Sequence, residues 1–516
     1  MRQLQKLKPY KALGPDGIPN IILMKCANLL VDRLYYIYAA IHNKRMYYTP
    51  WKVFNTIVLH KPGKPSYEVP KAYRPIALIN TLWKVLIAIL AKQLTFVAEK
   101  YQLLPSHHFS GHPGCTTTDA MHLLTHKIKS AWRQGQVMAV LFLDIEGAFP
   151  NVVPSKLAHN LKKRRVPKKL INFTTDMLEG CVTTLKFNDY TLVPIPIDNG
   201  IGQGDPMSIA LYQFYNTDLL DIPNIKHESA IAYVDDALLI ATADTFEAAH
   251  QTLASMMTRQ NGVIEWSTSH NSPLEYSKLA LIDFAHQNNR KPCPQLHLPH
   301  ELITPVASAK YLGVIFNQHL KWKEQLALVT EKGLKWAAQI RRAAHPSWGI
   351  MPKYAKRLYI SIALPKVLYM IDIWCMPIHS ETAGCRAKGS VAAVKQLTTV
   401  QRAGTIAVTG GLCTSPMDTL DACAYTFPAV QLAEKWCLKV AVWLATLPLQ
   451  HPLYKLVNAS ANCMVIRHKS PLHNLMQIFK LKPKTITKIA GVVRNPMEAN
   501  CHECSGHVGT GVAGWS

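Results

Sequence analysis

Two aspartates stand side by side inside an otherwise apolar run at residues 230–241, which reads AIAYVDDALLIA. Such a run predicts a pair of buried strands that meet near Asp235 and Asp236. Burying one carboxylate without a partner is costly, and burying two adjacent carboxylates is more so. Either a turn that exposes both side chains to water or a bound cation must therefore compensate the two charges.

A third carboxylate follows another apolar run. In VLFLDIEGAF, Asp144 ends a hydrophobic strand, so we expect its side chain to emerge at the carboxyl end of that strand, where sites in α/β sheets gather. If this strand neighbours the strand of Asp235, the carboxylates converge, and they cannot all stay ionised without cations. Two Mg²⁺ ions, or Mn²⁺ in their place, suit such oxygen ligands and would support in-line displacement at phosphorus. Taken alone, the Asp-Asp pair is more simply explained as a solvated turn.

The composition indicates a folded, basic protein. The chain has 516 residues, is 48% hydrophobic and carries a formal charge of +25, which favours a polyanionic partner, with nucleic acid ahead of an anionic membrane surface. The segment LINTLWKVLIAILAKQL comes closest to a membrane span, but Lys84 interrupts it and its length fits a core helix. The N-terminus has no hydrophobic signal region, so we expect a soluble intracellular protein with no membrane partner.

Eight segments occur in a characteristic order: ALGPDGIP, HKPGKP with AYRPIAL, HHFSGHPGCTTTDA, FLDIEGAFPNV, NGIGQGDPMSIALYQF, AYVDDALLIA, EYSKLALIDF and AKYLGVIFN. In this order the chain resembles reverse transcriptases of non-LTR (LINE-like, jockey-type) retrotransposons, especially those of fungi, over about residues 12–326. Each segment alone is weak evidence, whereas the ordered series is specific. The third segment departs from the family's Gly-Phe-Arg core at Ser110 and Gly111, so no template contact is carried over there.

The resemblance implies an α/β (α+β) fold of the right-hand polymerase type, with fingers, palm, a mainly helical thumb and a C-terminal extension. It implies a lead-in at residues 1–42, a reverse transcriptase domain at 43–319, a helical thumb and connection region at 320–495, and a remnant of a ribonuclease H first strand at 496–516. In that remnant, HECSGHVGTGVAGWS, Glu503 stands where the family has its first aspartate. We expect a truncated copy that has no endonuclease before the polymerase and whose tail adds no ribonuclease H activity.

The resemblance also assigns roles to individual residues. Asp144, Asp235 and Asp236 would be the catalytic, metal-binding residues. Arg74 would contact the incoming triphosphate, and Phe149 would lie beneath the sugar and crowd out a ribose 2′-hydroxyl. The further nucleotide-binding residues would be Gln203, Gly204, Lys64 or its neighbour Lys61, and Lys278.

Each of these assignments has a simpler structural alternative. Arg74 would then form a surface ion pair, Phe149 would pack in the core, and the glycines beside Gln203 would belong to a plain loop before a helix. The basic run KKRRVPKK at residues 162–169 could grip a nucleic-acid backbone, and a solvated helix face is nearly as good an explanation.

The implied function is RNA-directed DNA polymerisation with an RNA template, a DNA primer, deoxynucleoside triphosphates and two divalent metals, in the nucleus and cytoplasm. An RNA-dependent RNA polymerase is a rival enzyme class, against which Phe149 and the motif order argue. A catalytically decayed relic that only binds nucleic acid is a rival of another kind.

Overall fold

The computed structural model of the chain describes residues 1–45, 47–110, 112–187, 189–286, 294–299, 301–344, 348–379 and 387–489. The expected ribonuclease H remnant, with Glu503, lies outside the described residues, and so does Gly111.

Helices and strands are mixed in the first two thirds of the chain. The strands are β1 (Val53–His60), β2 (Tyr73–Leu78), β3 (Val137–Leu143), β4 (Cys181–Phe187), β5 (Tyr190–Thr191), β6 (Ile195–Ile197), β7 (Glu228–Tyr233), β8 (Asp236–Ala243), β9 (Ala280–Phe284), β10 (Leu296–Leu298), β11 (Glu301–Ile303), β12 (Ser308–Tyr311) and β13 (Val314–Asn317). The α-helices are α1 (Arg2–Gln5), α2 (Asn20–Lys25), α3 (Ala27–Lys44), α4 (Thr81–Lys100), α5 (Thr117–Arg133), α6 (Pro154–Lys163), α7 (Lys168–Leu178), α8 (Ser208–Leu220), α9 (Phe246–Thr258), α10 (Val263–Ser269), α11 (Lys323–Ala343), α12 (Pro352–Leu358), α13 (Leu364–Val367), α14 (Ile371–Trp374), α15 (Val391–Thr409), α16 (Met417–Ala424), α17 (Ala429–Ala445), α18 (Tyr454–Asn462) and α19 (Pro471–Ile478).

A four-stranded sheet in the order β7-β8-β3-β9, which we call the palm sheet, lies between the two main cores, and all its neighbouring strands are antiparallel. Its central strand β3 reads VMAVLFL and is buried at every position. Alternate residues of a strand point to opposite faces. Accordingly, Ala139 and Leu141 pack in the core that contains α8 and α9, whereas Met138 and Val140 pack in the core that contains α5 and the C-terminal helices.

A second sheet, which we call the fingers sheet, has the order β2-β1-β4-β5, with β6 paired to β4. Strands β1 and β4 are parallel, and the other pairs are antiparallel. The basic, Pro- and Gly-rich loop between β1 and β2 is exposed along most of its length. Strands β1 and β2 therefore flank this loop as an antiparallel pair.

The apolar helix α4 is the one described helix that is long and apolar enough to cross a membrane, and half of its most apolar stretch is buried inside the protein. Its buried residues, among them Trp83 and Leu90, pack in the same core as α8 and α9. Lys84, which interrupts the apolar run, is half-buried, and this burial lowers the pKa of its ammonium group. This packing is what the core-helix interpretation predicts.

Within the described residues, the regular elements that follow β13 are helical. Helices α11 and α15 approach closely because Gly333 has no side chain. A Cβ at this position would stand 2.4 Å from Cγ1 of Val400. The mixed α/β fold with a helical C-terminal region agrees with the predicted fold class and is consistent with palm and fingers. The domain boundaries at residues 42, 319 and 495 stay predictions.

One expectation about topology was wrong in its physical basis. The site at Asp144 was placed by the rule for parallel α/β sheets, whereas the palm sheet is antiparallel. The carboxylates meet for another reason: β3 ends where the β7–β8 hairpin turns.

Candidate active site

The adjacent aspartates lie at the turn between β7 and β8. Because Tyr233 pairs with Asp236, only Val234 and Asp235 form the turn. Val234 has a φ of 59°, in the left-handed region that a β-branched residue rarely adopts. The tight two-residue turn is of the kind that requires positive φ, so the strain at Val234 is held in place by the surrounding structure.

A buried polar network holds this turn. The backbone N–H of Val234 donates to Ser110 Oγ (2.9 Å), and Asn216 Nδ2 donates to the Val234 carbonyl (2.6 Å). His108 links the two, with Nε2 2.8 Å from Asn216 Oδ1 and Nδ1 3.2 Å from the Ser110 hydroxyl. Burial lowers the pKa of His108 to about 4, so the ring is neutral and can donate through Nε2 while accepting from Ser110.

Asp144 stands beside the turn. Leu143, the last residue of β3, pairs with Ala237, which places Asp144 next to Asp236 across the two strands. Asp235 and Asp236 are exposed at the turn. Partial desolvation of the Asp236 carboxylate and the charges of Asp235 and Asp144 together raise the pKa of Asp236 to about 6. Burial and Asp144 also raise the pKa of Asp235. The three carboxylates therefore converge, as the sequence predicted.

The charges of the two adjacent aspartates act on residues at opposite faces of the sheet. The charge of Asp235 adds to burial in raising the pKa of Tyr212, which packs in the core with α8. The charge of Asp236 acts in the same way on Tyr311, which packs in the other core. Asp144 acts on both aspartates, so it lies close to both of them where β3 ends.

Lys278 pairs directly with Asp144, with Nζ 2.8 Å from Asp144 Oδ2, and its ammonium is also 3.5 Å from Oε2 of Glu275. Both side chains of the first pair are about half exposed, at 54% and 42%. Lys278 is thus at the predicted site, where it neutralises a carboxylate.

The donor set fits a divalent cation that takes further ligands from elsewhere. Converging carboxylates, of which Asp235 and Asp236 have a raised pKa, form a site where a cation is favourable. Among the described residues, no three His, Cys, Asp or Glu side chains are arranged to enclose an ion. Mg²⁺ is commonly held by one or two carboxylates together with water and substrate phosphate, so a partial protein shell suits it.

The loop between β1 and β2 brings positive charge to the aspartates. Burial lowers the pKa of Lys61, and Lys64, Arg74 and Lys278 lower it further, while Asp144 opposes them. These side chains are therefore neighbours across the space between the two sheets. Arg74 is exposed on β2 and, within the described part of the chain, forms no ion pair, contrary to its structural alternative.

An ion-pair bridge that the sequence did not indicate joins the fingers loop to the palm. Lys71 Nζ lies 3.0 Å from Oε1 of Glu146 and 2.8 Å from Oε2 of Glu275. Glu146 follows Asp144 by two residues, and the backbone N–H of Glu275 donates to the Asp144 carbonyl at 2.9 Å. Lys71 therefore fixes the fingers loop to the backbone segments that carry Asp144 and Lys278.

The loop of Gln203 and Gly204 docks against the fingers sheet. The Ala77 N–H donates to the Gln203 carbonyl at 2.9 Å. Gly204 has a φ of 110°, and a Cβ there would stand 3.2 Å from the Ala77 carbonyl oxygen. The glycine therefore permits a close approach to β2. This loop also borders a cavity of about 260 Å³ whose lining includes Trp51, Trp83, Gln203 and Asp205 and none of the three aspartates.

Phe149 lies half-buried on the core side of the turn. Its ring stacks on the fully buried Tyr212, with centroids 5.1 Å apart and planes inclined by 27°. The charge of Asp235 contributes to raising the pKa of Tyr212. Phe149, which stacks on Tyr212, is therefore close to the aspartates and also packs in the core. Its simpler alternative predicts this packing, and the position of Phe149 beneath the sugar stays a prediction.

The basic run at residues 162–169 is partly engaged within the protein. Lys163 lies 2.9 Å from Asp218, and Arg164 pairs with both Asp218 and Asp221. These contacts bind this half of the run to carboxylates of the protein itself, which differs both from a free nucleic-acid contact and from a solvated helix face.

Comparisons with known proteins agree with this geometry. Residues 59–316 match the family described as reverse transcriptase (RNA-dependent DNA polymerase). The chain is 24% identical over 387 residues to the "Probable RNA-directed DNA polymerase from transposon BS" of Drosophila melanogaster, covering 72% of this chain and 41% of that protein. It is 23% identical over 382 residues to the RNA-directed DNA polymerase from mobile element jockey of the same species, covering 72% and 40%. The chain thus spans about two fifths of the length of these relatives.

Among solved structures, telomerase from Candida albicans overlaps with 85% of this chain and 69% of its own, with a TM-score of 0.35 and 12% identity.

Proposed function

Because the chain belongs to the reverse transcriptase family of RNA-dependent DNA polymerases, we propose that it copies an RNA template into DNA for a non-LTR, jockey-like mobile element. One observation supports this activity above all others. Asp144, Asp235 and Asp236 converge at the edge of the palm sheet, beneath a cationic fingers loop. Negative charge for metal and positive charge for triphosphate are what nucleotidyl transfer requires.

Asp144 and Asp235 would hold two Mg²⁺ ions, or Mn²⁺, with Asp236 adjacent and less essential. When bound, these ions supply activation of the primer 3′-hydroxyl and charge neutralisation on the triphosphate. Arg74, Lys61 and Lys64 would bind and orient the triphosphate from the fingers loop.

The sugar and base of the incoming deoxynucleotide would lie between Phe149 and the loop of Gln203 and Gly204. Phe149 is supported from behind by the buried ring of Tyr212, so it cannot retreat easily from a ribose 2′-hydroxyl. Lys278 would keep the Asp144 carboxylate oriented before the substrate binds.

Primer extension by the purified chain tests this proposal and its rivals together. With a DNA primer on an RNA template, we expect deoxynucleotides to be incorporated in the presence of Mg²⁺ and ribonucleotides to be used poorly. Preferential use of ribonucleotides would favour an RNA-dependent RNA polymerase. Binding of the hybrid without any extension would favour a catalytically decayed relic. The Asp144→Asn variant, purified in parallel, controls for contaminating polymerases.

Two further expectations stay predictions. They are fungal origin, and work in the nucleus and cytoplasm, where template RNA and chromosomal DNA are available. The relatives named above are from Drosophila and do not test fungal origin.

A further inference from the structure

A second group of basic side chains lies far from the aspartates. We define the rear cluster as Lys129, Arg133, His286, Arg467, His468 and Lys469. Phe284, two residues before His286, pairs with Met138, which precedes Asp144 by six residues on the central strand. At about 3.3 Å per residue, the rear cluster is about 20 Å from Asp144, at the opposite end of the palm sheet.

Three separate chain segments build the rear cluster. Trp132 Nε1 donates to the Phe284 carbonyl at 3.3 Å, which ties the end of α5 to the end of β9. Arg133 Nη1 donates to the His468 carbonyl at 3.0 Å, which adds the segment before α19. The rings of His286 and His468 then meet edge to face, with centroids 4.7 Å apart.

The lysines and arginines of the rear cluster carry charges of one sign, and they favour the neutral form of the neighbouring histidines. Burial lowers the pKa of His468, and His286, Lys129, Arg133 and Arg467 lower it further. Arg133 and Lys469 likewise add to burial in lowering the pKa of His473 to about 4. In the portion of the chain that the structure describes, none of the six members forms an ion pair with a carboxylate. Like charges held together repel, so an external anion would stabilise the arrangement.

The surroundings favour a strand with unpaired bases. The ammonium of Lys129 is 4.3 Å from the centroid of the Trp132 ring, which is buried and therefore holds the cation in place without itself offering a face to a base. Met464 and Ile466, at 89% and 88% exposure, flank Arg467 and present apolar surface. Unstacked bases pack on aromatic and apolar side chains while cations follow the phosphates, and a duplex offers only its phosphates.

We propose that the rear cluster binds the phosphate backbone of a single-stranded nucleic acid at a site separate from the polymerase centre. The bound strand is either RNA that extends beyond the copied region or single-stranded DNA. Both offer the same backbone phosphates. This binding is independent of polymerisation and can be measured whether or not the chain is an active polymerase.

Binding of a labelled single strand to the full chain, with the polymerase cleft filled, tests the proposal. A saturating blunt-ended RNA–DNA hybrid occupies the cleft, and a fluorescent 20-nucleotide RNA is then titrated by anisotropy. We expect the Arg467→Glu/Lys469→Glu variant to bind the RNA at least tenfold more weakly than the wild type, while extending a short primer within about twofold of the wild-type rate. The matched control is Lys25→Glu/Lys226→Glu, which changes two exposed lysines and lowers the net charge equally. An equal loss in both variants, or no loss in the first, overturns the proposal.

Photo-crosslinking of the wild type gives a second readout that needs no variant to fold. RNA that carries 4-thiouridine should crosslink to the peptides containing Trp132 or His468 when the cleft is filled, and crosslinks confined to the cleft overturn the proposal. A DNA strand of the same sequence serves as the second probe, and whichever strand binds more tightly identifies the source. If anionic phosphatidylserine vesicles compete fully with the RNA and bind the charge-reversed variant less, the site is a membrane surface and the proposal is wrong.

Discussion

The Asp236→Asn variant should be more stable than the wild type when no metal is present. Asp236 has a pKa of about 6 in the folded chain, against an ordinary value of 3.8, because burial and two neighbouring carboxylates oppose its charge. Between pH 4 and 6 the folded state keeps a proton that the unfolded state has lost, so stability falls as the pH rises through this window. Above pH 6 the carboxylate is charged and lowers the free energy of unfolding by the full amount. An amide at this position carries no charge and removes this destabilisation.

The magnitude follows from the pKa difference and from exposure. A change from 3.8 to about 6 corresponds to at most about 3 kcal/mol. Because Asp236 is exposed at the turn although its carboxylate is partly desolvated, solvent screening reduces the expected gain to about 1 kcal/mol. For a chain of this length, that gain raises the midpoint of thermal unfolding by about 1 °C.

The assay is thermal unfolding in EDTA at pH 8 and at pH 4, and again at pH 8 with excess Mg²⁺. We expect the variant to unfold at a higher temperature than the wild type at pH 8 in EDTA, and this difference to disappear at pH 4. We also expect Mg²⁺ to stabilise the variant less than the wild type. Asp32→Asn, at an exposed position on α3, is the matched control and should change little. A less stable Asp236→Asn variant in EDTA at pH 8, or a gain that persists at pH 4, would refute the account of converging carboxylates.

Three further predictions concern the sugar, the turn and salt. Phe149→Val should raise the ratio of ribonucleotide to deoxynucleotide incorporation efficiency about tenfold or more, measured as a ratio of kcat/KM values, because the ring no longer blocks the 2′-hydroxyl; an unchanged ratio would make Phe149 a core residue only. Ser110→Ala should lower kcat about fivefold, since one buried hydrogen bond to Val234 contributes about 1 kcal/mol, and leave template–primer affinity unchanged; an unaltered kcat would contradict the role of Ser110. Affinity for the template–primer should fall about 10³-fold between 50 and 200 mM salt if six or more phosphates are contacted, and a flat response would show that the basic surplus serves another purpose.

Features carried by local pattern could be predicted from the sequence. The uninterrupted run VMAVLFL indicates a strand buried on both faces, and β3 has that burial. The Asp-Asp pair in an apolar run indicates a turn at the edge of a sheet, and the β7–β8 hairpin has that turn. Both depend on residues close together in the chain.

Features that depend on distant segments could not be predicted. Ser110, which the family pattern left without a role, reaches the turn across 124 residues of chain. Lys71 and Glu275 pair across 204 residues, and neither has a local signal. Part of the basic run pairs with acidic residues of α8 and of its C-terminal end. These ion pairs could not be predicted, because a single sequence does not show which acidic residues lie opposite the run.

Single-nucleotide incorporation by the Asp235→Asn variant tests the central claim most directly. With saturating RNA template and DNA primer, Mg²⁺ and one deoxynucleotide, the single-turnover rate should fall by at least about 10³-fold, because loss of this carboxylate weakens charge stabilisation in the transition state. The dissociation constant for the template–primer should stay within about threefold of the wild-type value, since the basic surface is unchanged. Incorporation at a rate close to the wild type would contradict the assignment of Asp144 and Asp235 as the polymerase centre.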